Sequence, residues 1–283
     1  MRGNGPLPSR MPRKDDGPRI SLLPYTTGMD PKAPVSVSLF FTCTADAFAP
    51  GVCFAATEVL ERFGAKVNAP MSQTCCGQPA FHTGNRKEAR TLARKLLRSF
   101  PDDGYVVTPS GSCATMVRDG FPVLFRDEPR TLALARSFAE RTYELSRFLV
   151  DVLGVTDPKS PFSGKATYHE SCRLPKGAGT ADPPRTLLRA IPGLRLVEME
   201  AADRCCGFGG VFSVRHPQIS CAMTERKIER ILATGAAYVT SADMGCLLNI
   251  GGMISRYGYP VKTLHLAEVL AGGPRDAEGE EEP

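Results

Sequence analysis

Residues 74–81 read TCCGQPAF, and residues 204–212 read RCCGFGGVF. Two adjacent cysteines followed by glycine thus occur twice in a chain of 283 residues, and the cysteines around them repeat as well. Cys43 matches Cys172 at an offset of 129 residues, Cys75-Cys76 matches Cys205-Cys206 at 130, and Cys113 matches Cys246 at 133. Outward from each motif, apolar and β-branched runs alternate with helical periods. The strands are VSVSLFF (35–41), YVVTPS (105–110), KATYHES (165–171) and AYVTSA (237–242); the clearest amphipathic helices are RKEARTLARKLLRSF (86–100) and ISCAMTERKIERILATG (219–235). Strands alternating with helices specify parallel sheets covered by helices. The predicted fold is therefore α/β, as two similar parallel-sheet halves related by an internal pseudo-twofold repeat. The cysteines of each half fall at the carboxyl ends of strands, where open α/β sheets place their sites.

The expected boundaries are a flexible N-terminal arm over 1–34, a first half over 35–127, a helical connector over 128–164, a second half over 165–271 and an acidic flexible tail over 272–283. The stretch 128–153, EPRTLALARSFAERTYELSRFLVDVL, reads as one long helical region.

Composition narrows the chemistry. Hydrophobic residues make up 42% and charged residues 23%, an ordinary globular balance. No run approaches the roughly 18 apolar residues of a membrane span, and the basic start lacks the apolar core of a secretory signal. The net charge of +5 is scattered, with no basic block, so nucleic-acid binding has no support. Ten cysteines in a large chain that needs no crosslinks indicate reduced thiols and a cytoplasmic setting. Neither a hydrolase elbow nor a dinucleotide fingerprint is present.

A single buried cysteine is commonly a small hydrophobe. Four at matched strand ends, twice, point instead to ligation. Soft thiolates hold iron–sulfur clusters or zinc, so the candidate ligands are Cys43, Cys75, Cys76 and Cys113, then Cys172, Cys205, Cys206 and Cys246. Gly77 and Gly207 are expected to supply a backbone shape closed to other residues and an N–H near the sulfurs. His169, three residues before Cys172, is a candidate hydrogen-bond donor to a sulfur, with plain packing as the equal alternative. His82 has the same two readings. His265 reads as structural, and Cys53 and Cys221 read as core. The basic residues of 86–100 read as a solvated face or, second, a partner patch. Gln78-Pro79 in the first motif against Phe208-Gly209 in the second implies unequal surroundings for the two centres.

The motifs TCCGQPAFHTG, YVVTPSGSC, DRCCGFGGVFSV and SADMGCLLNIGG resemble those of the cysteine-rich CCG-domain proteins, the iron–sulfur group that includes heterodisulfide reductases, and more specifically the lactate utilisation protein A family. The resemblance implies an iron–sulfur electron-transfer subunit of a multi-protein system oxidising L-lactate to pyruvate. It implies partner iron–sulfur and lactate-utilisation subunits, and an oxidoreductase component not competent alone. The fullest CCG motif ends in Cys-x2-Cys. Here Ser110 and Asp243 stand where the extra cysteines would be, so four sulfurs per half favour up to two conventional [4Fe-4S] clusters. Ser110 reads as a turn or neighbouring residue, and Asp243 as the cap of its own helix or an oxygen ligand. Zinc in one or both sites, giving a non-redox scaffold, and a thiol-redox enzyme using the CCG cysteines are the alternatives.

Overall fold

The computed structural model describes residues 34–174 and 182–274. Most of the expected N-terminal arm and the end of the acidic tail lie outside the described residues.

The first half runs β1 (Val35–Leu39), α1 (Cys43–Phe48), α2 (Gly51–Arg62), β2 (Ala65–Asn68), α3 (Gln78–His82), α4 (Arg86–Ser99), β3 (Tyr105–Thr108), α5 (Gly111–Thr115), α6 (Phe121–Leu124), α7 (Pro129–Glu140), β4 (Thr142–Glu144) and α8 (Leu145–Arg147). The second runs β5 (Gly164–Tyr168), α9 (Pro183–Arg189), β6 (Leu194–Leu196), α10 (Val211–Arg215), α11 (Pro217–Ala233), β7 (Tyr238–Ser241), α12 (Met244–Tyr257), β8 (Lys262–His265) and α13 (Leu266–Ala271). Each half is a four-stranded, all-parallel sheet, ordered β2-β1-β3-β4 and β6-β5-β7-β8. The repeat seen in the cysteines is thus a repeat of topology.

One expectation changes. The stretch 128–153 is interrupted by β4, which pairs with β3 and completes the first sheet before the chain returns to helix through a π-helical turn at Phe148–Val152. A three-residue strand leaves the helical period on either side almost intact, so only its neighbour reveals it.

Local signals explain the helices that matter for the site. In α4, Asn85 caps the N-terminus by accepting from the Glu88 N–H, and Ala89, Ala93 and Leu96 bury one face. Full burial of a leucine such as Leu96 contributes about 1.5–3 kcal/mol.

The halves share one central core. It joins Val37 and Leu39 of the first sheet, Ala166 and Tyr168 of the second, and the helices between them. Here α2 packs on α13, and α8 packs on α9. Each contact joins the helix after the first strand of one half to the helix after the last strand of the other, as a pseudo-twofold relation requires. Arg62, ending α2, reinforces the junction by donating to Leu270 O at 2.8 Å and Ala271 O at 3.3 Å, carbonyls at the end of α13. Two outer cores lie beyond, one containing Cys76 and Cys113, the other Cys206 and Cys246.

Candidate metal centres at the carboxyl ends of both sheets

Each quartet is assembled from three strand ends. Cys43 opens α1 just after β1, where Thr42 caps by accepting from the Ala45 N–H. Cys75-Cys76 occupy the loop before α3, and Cys113 lies in α5 after β3. Cys172 follows β5, Cys205-Cys206 precede α10, and Cys246 sits in the first turn of α12 after β7. Burial follows the same gradient in both halves. Cys43 and Cys172 are exposed, Cys75 and Cys205 half-buried, and the other four buried.

The sulfurs converge. Cys43 Sγ lies 3.5 Å from Cys75 Sγ, and Cys76 Sγ 3.5 Å from Cys113 Sγ. Gly77 and Gly207 each direct an N–H to the sulfur two residues back, at 3.4 Å from Cys75 and 3.4 Å from Cys205. That geometry requires left-handed backbone, φ +79° and +91°, at which a side chain is strained. A Cβ on Gly207 would also sit 2.6 Å from Ser220 O.

These contacts polarise the thiols alike. Hydrogen bonds from Cys43, from Cys76 and from the Gly77 N–H hold the Cys75 thiol far below its usual range. Cys172, Cys206 and the Gly207 N–H do the same for Cys205. The donors Cys43 and Cys172 are pushed up by those hydrogen bonds and by burial. In each loop these contacts thus favour the thiolate of one sulfur, the form that binds metal.

All eight repeat cysteines line one cavity of ≈ 410 Å³, together with His82, Ser110, Asp243 and Phe208. The wall between the quartets is built by both halves. Gly111 N donates to Ala242 O at 3.1 Å, and Ser112 N donates to Asp243 Oδ2 at 2.9 Å. Asp243 reaches across the pseudo-axis to the first turn of α5, and the Gly245 N–H at the start of its own helix also favours its carboxylate. Ser110 caps α5 from within, accepting from the Cys113 N–H at 3.2 Å.

The beds beneath the two vicinal pairs differ. Gly77 packs on Ala89 and Leu92 of α4, and Gly207 on Ser220 and Met223 of α11, which sets the helices in register. Ala93 then corresponds to Thr224 and Leu96 to Lys227. By the same repeat Phe40 corresponds to His169, each three residues before a cysteine and each bonded through its N–H to the third strand at 2.8 Å. In the second half, Thr224 Oγ1 and Asn249 Nδ2 donate to Cys206 O at 2.9 and 3.0 Å. Lys227, 1% exposed, donates to Ala201 O and Ala202 O at 3.1 Å each. Burial lowers its ammonium to about 8, while Cys206 and Cys246 pull the other way. His169 is fully buried, and burial, with the Lys227 charge acting the same way and the Ala202 carbonyl opposing it, drops its imidazole to about 3. Among the described residues, the one trio of potential ligand atoms all within 4.8 Å of one another is His169, Cys206 and Cys246.

Other expectations divide. His265 is structural: its Nδ1 accepts from the Ala267 N–H, and Glu268 closes the reciprocal half of the cap. Cys53 is buried, but Cys221 is exposed and not core. Of the basic residues on α4, Arg86 stacks on Phe81, Arg90 donates to Leu124 O and Arg94 pairs with Glu128, so that half of the face serves its own fold. Lys227, Thr224 and Asn249 were invisible as site residues in the local sequence. Aligning α4 with α11 through the repeat would have flagged Lys227, a charge where its counterpart is leucine.

A doubled α/β unit with four cysteines at the strand ends of each copy defines the class. The model of the CCG cysteine-rich domain matches residues 37–118 and again 166–251. Within that class, the chain belongs to the lactate utilization protein A family. It is 49% identical to the member from Geobacillus kaustophilus and 45% identical to that from Bacillus cytotoxicus, in each case over 83% of this chain and 98% of the relative. A hypothetical protein from Helicobacter pylori shares the fold, with a TM-score of 0.55 at 13% identity, over 86% of this chain and half of that one.

Proposed function

We propose that this chain is an electron-transfer subunit that holds one [4Fe-4S] cluster in each half and serves a multi-protein system oxidising L-lactate to pyruvate. The observation that carries it is the convergence of eight cysteine sulfurs, four per half, on one cavity, with a glycine N–H directed at one sulfur of each quartet. The donor set fits the group. A mononuclear zinc with four thiolates at about 2.3 Å needs all six sulfur separations near ~3.8 Å. The closest pairs, at 3.5 Å, lie near that figure too; it is the soft four-thiolate donor set of each half and the ≈ 410 Å³ cavity around it that suit a larger cluster.

When bound, such clusters supply one-electron relay chemistry. The chain's own residues do the rest. Cys43 and Cys172 stand at the exposed lip, where a partner's redox group can approach, and the buried cysteines anchor each centre to the outer cores. Phe208, Phe212 and Met244 line the cavity and give it an apolar wall beside the sulfurs. Lactate enters through the family and its relatives' names. Oxidation of a 2-hydroxy acid removes two electrons and needs a base and a competent redox site, and this chain offers no flavin or nicotinamide fingerprint. Partner proteins of the lactate-utilisation system, in the reducing cytoplasm, provide that site. The compact trio of His169, Cys206 and Cys246 favours a second reading, zinc in the second half with a structural role.

Anaerobic purification followed by iron, sulfide and zinc analysis tests the proposal. About eight iron and eight acid-labile sulfides per chain are expected for two cubane clusters, with negligible lactate oxidation by the subunit alone and activity on adding its partners. Zinc in both halves without sulfide overturns it.

A further inference from the structure

The two quartets match in ligand number, in backbone and in exposure, yet the groups beneath them do not. Reduction potential depends on net charge, on hydrogen bonds to the sulfurs and on solvent exposure. Exposure is the same on both sides, since Cys43 and Cys172 are alike open, Cys75 and Cys205 alike half-buried, and the other four alike buried. What differs is the bed: Phe40, Ala89, Ala93, Leu96 and Met116 in the first half, all apolar and buried, against His169, Ser220, Thr224, Lys227 and Asn249 in the second. Resting on the iron–sulfur reading, we propose that the second half holds the higher-potential centre of an unequal pair, and that Lys227 and His169 set the difference.

The physical reason is the sign of the added charge. Reduction makes a centre one unit more negative, and a buried ammonium lowers the energy of that state much more than a surface charge does, because little water screens it. Arg173, which lines the shared cavity, is exposed and screened. His169 adds a dipole. One of its nitrogens carries a proton in the neutral ring, the Ala202 carbonyl stands beside the ring, and one ring nitrogen lies within 4.8 Å of Cys206 and Cys246 Sγ, so the ring sets a fixed dipole next to those sulfurs. Phe40 in the first half offers no N–H at that place. Lys227 is fixed by two backbone carbonyls, so it cannot leave the bed without breaking both bonds.

A redox titration of the anaerobic holoprotein, followed by electron paramagnetic resonance, decides this. Cys76→Ser and Cys206→Ser assign one signal to each half. Two potentials are expected, the higher one vanishing with Cys206→Ser. Lys227→Met should lower that potential by a tenfold or greater change in the reduction equilibrium, ~59 mV for a one-electron couple, leaving the other unmoved. Lys227→Arg should retain it. His169→Phe, which installs the residue already tolerated at Phe40, gives an independent shift in the same direction should Lys227→Met lose its fold. Equal potentials in the unaltered protein, a higher potential assigned to the first half, or shifts in both signals or neither, overturn the inference while leaving two iron–sulfur centres. Absence of iron and sulfide overturns the reading of the centres and this inference with it.

Discussion

Asp243 places a buried carboxylate against the first turn of a helix in the opposite half, where Ser112 N donates to it. Removing it by Asp243→Ala leaves that N–H without its acceptor, a loss of about 1–3 kcal/mol. The thermal midpoint should fall while iron content and the resonance spectrum stay unchanged; an altered spectrum would mean that Asp243 ligates. Glycine supplies a second comparison. Gly207→Ala must hold a left-handed conformation, costing about 1–3 kcal/mol, and also move the Ser220 carbonyl that its Cβ would strike. Gly77→Ala meets Ala89 O at the milder 3.3 Å. Metal content of the two variants should therefore differ, with Gly207→Ala losing more of its own centre than Gly77→Ala.

At the scale of elements, β4 and β8 end in equivalent buried caps. Glu144 accepts from the N–H groups of Ser146 and Arg147, and His265 accepts from that of Ala267. Burial lowers His265 from 6.5 to about 4. A depressed folded value means that the unfolded chain binds the proton first, so the cap's contribution is whole above about pH 6.5 and drains away as pH falls toward 4. By pH 5 the loss is about 2 kcal/mol. His265→Asn keeps a capping acceptor without the titration. Its thermal midpoint relative to the unaltered protein should rise between pH 7.5 and pH 5; parallel curves would exclude His265 as the titrating cap. The same elements show the reach of local pattern. In 86–99 period and the Asn85 cap specify a helix because one apolar face decides it, whereas in 217–233 the helix has no side-chain cap and buries Ser220, Thr224 and Lys227 beside Ile228 and Ile231. At Thr142–Glu144 three residues are too few to display a period, and only the hydrogen bonds offered by β3 turn them into a strand.

Across the whole molecule, two quartets in one cavity raise the question of independence. Each draws all its sulfurs from its own half and rests on its own outer core. Cys76→Ser should therefore remove about half of the iron and one resonance signal, leaving the second centre occupied; loss of all metal with the fold intact would reveal a single shared centre. By itself, the sequence determined the repeat, the α/β class, the eight cysteines and the glycines after each pair, because period, motif and positive-φ demand are written locally. The tertiary structure alone decided that both quartets open into one cavity, that Asp243 reaches the opposite half, and that Lys227 and His169 lie buried beneath one quartet while leucine and phenylalanine lie beneath the other. A lysine in an amphipathic helix looks solvated until the sheet and loop that cover it are in place. Its burial depends on contacts between residues far apart in the chain, such as Lys227 with Ala201 and Ala202, which no local period records.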